Sequence, residues 1–182
     1  MRKNTSLILV LALATITIFF FSCQKGIDKP ALPEKEIETS SANNGSGATQ
    51  ISGMGKYAET GECTGGEGSA FALKLTGDLN GCLYVFIDDY ECSPSGTYRE
   101  EGREHFVGTY NGQPGTFRTT YKFEAKYEQC DGGPLGAEIF GRCQHPIVVG
   151  SGTGAFADVT GQLNFRDDIE AGNFPYTGHL HF

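Results

Sequence analysis

Positive charge is scarce in this chain: 14 lysines and arginines stand against 22 aspartates and glutamates, for a net charge of −8 over 182 residues. No basic run offsets the excess. Nucleic-acid binding rests on neutralising phosphates, so no nucleic-acid partner is expected, and the acidity serves solubility. Helical periodicity is missing too: no apolar pattern of period 3.6 persists for the length of a helix. The cysteines include no C-x-x-C pair, which leaves zinc-ribbon and thioredoxin-like chemistry without a foothold. There is no G-x-S-x-G, and no Ser–His–Asp set can be assembled from one chain. The longest apolar run, Leu7 to Phe21, falls short of the ~20 residues a transmembrane helix needs. No internal repeat occurs.

What the chain does have is period two. In "TFRTTYKFEAKYE", Phe117, Thr119, Tyr121, Phe123, Ala125 and Tyr127 share one face; Arg118, Thr120, Lys122, Glu124, Lys126 and Glu128 share the other. Such alternation puts one face in a core and one in water. "SAFALKLTG" turns Phe71, Leu73 and Leu75 inward, and "CLYVFIDDY" begins apolar on both faces. "TYREEGREHFVGTY" alternates with a slip near Gly102, which predicts a bulge there. "AEIFGRC", "GQLNF" and "FPYTGHLHF" complete the strands. Turn signals separate them: Gly77-Asp78 with Asn80-Gly81, Ser93-Pro94-Ser95-Gly96, Asn111-Gly112 and Asp131-Gly132-Gly133-Pro134. The expected fold is all-β, a single antiparallel barrel of about eight strands in up-and-down order, since hairpin links favour it and closure removes exposed edges.

The amino-terminal segment has its own logic. Arg2 and Lys3 precede the Leu7–Phe21 run, the layout of a secretory signal. "FFSC", ending at Cys23, resembles the lipobox of bacterial lipoproteins, with Phe20 where a leucine usually stands and the small Ser22 before the cut. The resemblance implies cleavage after residue 22, acyl chains on Cys23, and anchoring in the cell envelope. With Gln24 next, in place of the aspartate of inner-membrane retention, the outer membrane is the favoured address, on its periplasmic or its surface face. More than one acyl chain is what stable anchoring takes. Removing residues 1–22 takes away two cations and no acid, moving the net charge from −8 to −10. Residues 23–52 then read as the lipidated cysteine and a flexible linker with a reach of about 30 Å, and residues 53–182 as the barrel domain.

"VVGSGTGAFADVTGQLNF" raises the question of a phosphate loop, because Gly152, Gly154 and Ala157 satisfy G-x-G-x-x-G/A. That fingerprint acts between a strand and a helix. Here Thr160-Gly161 falls where the helix would begin, so a sharp backbone corner is expected instead, with Phe156 folded beneath it as a plug. "GSGTGAFADVTGQL" resembles the G-[ST]-G-x-F-x-x-x-x-G-x-[LV] corner of the allene oxide cyclase and dirigent-like barrels, most closely over residues 146–182. The resemblance implies an eight-stranded barrel and makes Gly152, Gly154, Phe156 and Gly161 architectural. It carries no catalytic residue across, and fold analogy does not give function.

Five cysteines follow Cys23, and export makes disulfides the default. With residues 97–110 as one strand, Cys82 and Cys143 fall at one barrel end and Cys92 and Cys130 at the other, with Cys63 near the second end. The expected set is Cys82–Cys143 with Cys92–Cys130, or Cys63 substituting in the latter. Cys82–Cys92 would span roughly 33 Å of strand against a limit of about 7 Å between Cα atoms. His179 and His181 share a face of the last strand, as a chelating pair or as solvated histidines. Asp167, Asp168, Glu170 and Asn173 form an acidic loop whose oxygens would suit calcium but lack EF-hand spacing. Arg142 and His145 fall near a barrel end. None of these patterns calls for a metal or a cofactor. The inward face is rich in rings: Phe71, Phe106, Tyr110, Phe117, Tyr121, Phe123, Tyr127, Phe165 and Tyr176. An eight-stranded barrel either fills with such side chains or leaves room for one small ligand. The leading expectation is therefore a small-molecule-binding or structural envelope module. An isomerase or cyclase using the interior is the alternative, and it needs a buried acid or polar pair; Glu124 and Glu128 point the wrong way.

Overall fold

The computed structural model describes residues 47–182; the signal segment 1–22, Cys23 and most of the 23–52 linker lie outside the described residues. The domain is all-β. Its strands are β1 (Thr49–Tyr57), β2 (Phe71–Gly77), β3 (Leu79–Cys92), β4 (Thr97–Tyr110), β5 (Gln113–Tyr127), β6 (Glu138–Pro146), β7 (Thr153–Gly154), β8 (Thr160–Arg166) and β9 (Phe174–His181). β1 starts within the stretch expected to be linker, because Ile51 is buried and the strand pairs with β9 from Thr49 onward.

Every pairing is antiparallel, in the order β4-β3-β2-β1-β9-β8-β6-β5, and β4–β5 closes the ring. Eight strands thus form a closed up-and-down barrel. β7 is the extra strand: it pairs with Gly115 and Thr116 of β5, beyond the part of β5 that β6 covers. On β5 the period-two pattern holds, with Phe117, Thr119, Tyr121 and Ala125 buried and Arg118, Thr120 and Lys122 exposed. The bulge lies on the partner strand, not at Gly102: the register between β3 and β4 shifts between Ile87 and Asp89, opposite Gly102 and Glu101. β4 itself keeps its alternation through Gly102, so Glu100, Glu104 and Phe106 all face the interior.

One end of the barrel is plugged. Phe106 and Phe117 stack with centroids 4.9 Å apart, and Phe156 meets both edge-on at 5.6 and 4.9 Å. All three are fully buried, each contributing about 1.5–3 kcal/mol by burial alone. Phe156 comes from the glycine corner, which is a run of turns from Thr153 into β8 and contains no helix. A Cβ on Gly152 would sit 1.7 Å from the Phe156 carbonyl oxygen, and Gly154 has φ +59° as it passes Pro114 and Gly115 of β5. At both positions the close approach requires glycine. Tyr176 caps the same end from within, its hydroxyl accepting from the Leu79 amide at 2.9 Å under the β2–β3 turn.

The disulfides correct one expectation. Cys92–Cys130 forms as expected, tying the β3–β4 end to the segment after β5. Cys82 pairs with Cys63, however, and Cys143 is a free, buried thiol. The reason is side-chain parity. On β3, Leu79, Leu83 and Val85 join the core, so Cys82 projects outward, where the 58–70 loop laps over the wall and also accepts the Tyr84 hydroxyl at Thr64. Cys143 of β6 joins the core cluster inside. The two cysteines lie on opposite faces of the wall and cannot meet.

Candidate functional site

The other end of the barrel is open, and a cavity of about 350 Å³ runs down into it. Its apolar wall includes Phe71, Leu73, Val85, Phe123, Phe165 and Phe174, with Tyr57, Leu135 and Ile169 at the exposed mouth. The interior is therefore half filled and half hollow, within the ~300–1,000 Å³ range of small-molecule sites. All nine rings expected inward do join the core or this cavity.

Polar groups gather at its floor. Glu104 (β4) and His145 (β6) are almost fully buried, and His145 Nδ1 lies 2.6 Å from Glu104 Oε2. The Thr119 hydroxyl donates to the same oxygen at 2.5 Å. The imidazole sits between Tyr121, at 6.0 Å and nearly parallel, and Phe165, at 4.6 Å. With Nδ1–H donated to the carboxylate, Nε2 is left as an acceptor, buried and without a partner. Burying polar groups costs desolvation that their own hydrogen bonds only partly offset, so fold stability alone gives no reason for this pair among so many rings.

Above the floor, Glu100 accepts hydroxyls from Tyr98 at 2.6 Å and Tyr121 at 2.8 Å. Burial, reinforced by those hydrogen bonds to Glu100, pushes both phenols well above their ordinary range. At the mouth, Asp167 faces Glu138. Burial, then hydrogen bonding and charge from Glu138, raises the Asp167 carboxyl from 3.8 to about 7. Burial likewise raises the Cys143 thiol, with Glu104's charge second, and leaves it a poor nucleophile. Among the described residues, no lysine or arginine lines the cavity.

No protein family, curated protein or solved structure matches this chain. The site must be read from its own geometry.

The remaining expected groupings fare unevenly. Arg142 and His145 are not brought together: Arg142 points outward and pairs with Glu124 at 3.0 Å, while His145 points in. Glu124 is indeed on the outer face, shared between Arg142 and Arg99. His179 and His181 lie side by side on β9, ring centroids 5.6 Å apart. In the acidic loop, Asp168 turns the chain by accepting from the Ala171 amide at 3.0 Å, and it lines the cavity mouth together with Asp167 and Asn173. Among the described residues, no three His, Cys, Asp or Glu side chains converge as a metal site would require. A wider depression of about 580 Å³ on the outer wall is lined by Arg99, Lys122 and Arg142 with Glu91, Glu101 and Glu124, charges that pair with one another.

Glu100, Glu104 and Glu138 are the site residues that the sequence reading does not pick out. For Glu104 the signal was present, since Phe106 inward implies Glu104 inward two residues earlier. The slip expected at Gly102 obscured Glu100, which lies before it.

Proposed function

We propose that this chain is an envelope-anchored lipoprotein whose barrel binds one small, largely apolar molecule in its open half. The observation that carries the binding reading is the 350 Å³ cavity with a single buried polar pair, Glu104–His145, at its floor. A mostly apolar pocket with a few convergent polar groups is the common form of a small-molecule site. The lipobox-like "FFSC" supports the anchor, and the linker from Cys23 would hold the mouth clear of the lipid surface. The resemblance of the glycine corner to allene oxide cyclase-like barrels supports a second reading, an isomerase or cyclase. The same Glu104–His145 pair favours it, because a carboxylate that fixes one ring nitrogen leaves the other free as a general base.

A cavity-filling variant tests the binding reading. Val85 lines the hollow half and is buried; Val85→Phe would place a ring in the void. Titrating the fluorescent probe N-phenyl-1-naphthylamine should give saturable one-to-one binding to the wild type and at least a roughly tenfold loss in the variant, with the melting temperature maintained. Equal binding by both proteins would place the probe elsewhere and contradict the reading. For the anchor, Cys23→Ser should release the protein from the membrane fraction; a variant still cleaved and still membrane-bound would refute lipidation at Cys23.

A further inference from the structure

We propose that the open half of the barrel takes an organic ammonium ion, a primary or secondary amine on an apolar body. The proposal rests on the binding reading above and names the class of ligand. Three buried side-chain atoms among the described residues have no hydrogen-bond partner: Glu138 Oε1, His145 Nε2 and Asn173 Oδ1. All three residues line this one cavity. Each of these atoms is an acceptor, His145 Nε2 because its Nδ1–H goes to Glu104, and Glu138 Oε1 when the Asp167 carboxyl that faces it is ionised. Buried acceptors without donors are costly, so the site favours an occupant rich in N–H or O–H groups.

Charge narrows the choice. Five carboxyl groups line the cavity, Glu100, Glu104, Glu138, Asp167 and Asp168, and among the described residues no lysine or arginine does. A carboxylate or phosphate ligand would enter against that field, whereas a cation would be drawn in. The rings around it, Phe71, Phe123, Phe165 and Phe174 among them, offer faces to an ammonium and an apolar lining to its carbon body. A quaternary ammonium has the charge but no N–H for the three acceptors. An alcohol has a donor but no charge. Of these three groups the amine alone satisfies both demands, and Asp167 and Glu138 facing each other at the mouth would be relieved of mutual repulsion by it.

A matched set of probes tests this with the full chain by calorimetry: 2-(1-naphthyl)ethylamine, its N,N,N-trimethyl derivative, 2-(1-naphthyl)ethanol and 1-naphthylacetate. The amine should bind tightest, at least about tenfold over the alcohol, with the trimethyl derivative between them and the carboxylate weakest. In the double variant Glu138→Gln, Asp167→Asn the amine should fall to the level of the alcohol while the alcohol's affinity holds, which also reports that the variant is folded. Equal affinity for amine and alcohol would overturn the ammonium assignment and leave the binding reading standing. Tightest binding by 1-naphthylacetate, or saturation of the site by calcium chloride alone, would overturn it too. Failure of all four probes would remove both.

Discussion

Asp167 shows how much one residue's surroundings matter here. Its carboxyl titrates at about 7 in the folded protein against 3.8 ordinarily, because it is buried and faces Glu138. The folded state therefore holds a proton that the unfolded state has lost, over the window between those values. Stability from this group is fully present below 3.8 and is lost as pH rises through about 7. Asp167→Asn should remove that slope, since an amide can donate to Glu138 at every pH. Thermal melts at pH 5 and pH 8 check this: the variant should melt above the wild type at pH 8, with the gap narrowing at pH 5. A variant that melts lower at pH 8 would mean that Asp167 is stabilised there as an anion. In the sequence, Asp167 read as part of a calcium-like loop with Asp168, Glu170 and Asn173. Both aspartates line the cavity, but Asp168 is engaged in bracing the turn while Asp167 is buried against Glu138, a contact with a distant strand that the local spacing of acids does not reveal.

At the scale of elements, period two was enough to find the strands and orient most of them. β5 reads correctly along its whole buried length. The glycine corner was legible for a similar reason: a helix cannot begin at Thr160-Gly161, so a phosphate loop had nothing to sit on. What period two could not give was long-range parity between strands. The Cys82–Cys143 expectation had both residues at one barrel end, but one points out and the other in, and the 58–70 loop that covers Cys82 has no regular pattern to announce it. A single misplaced bulge hid Glu100 in the same way. The corner's own contribution is measurable. Phe156 is fully buried among Phe106, Phe117 and Tyr110, so Phe156→Ala should destabilise by about 3–5 kcal/mol. Denaturant unfolding would read it. Because the plug is at the end away from the mouth, probe binding by the folded fraction should change little; a loss of affinity without a loss of stability would assign Phe156 to the site instead.

Over the described residues the molecule is a barrel of two halves, one packed with rings and one hollow with a polar floor. His145 marks the boundary between them. It is one of four histidines in the chain, the others being His105, His179 and His181, and it alone lines the cavity. The most direct measurement is therefore an imidazole ¹H–¹⁵N spectrum recorded with and without saturating 2-(1-naphthyl)ethylamine. The account predicts that His145 carries its proton on Nδ1, held by Glu104, and that its Nε2 signal shifts on saturation while those of the other three histidines stay in place. An unchanged His145 signal at saturation, or a shift confined to His179 and His181, would contradict a ligand seated on the barrel floor.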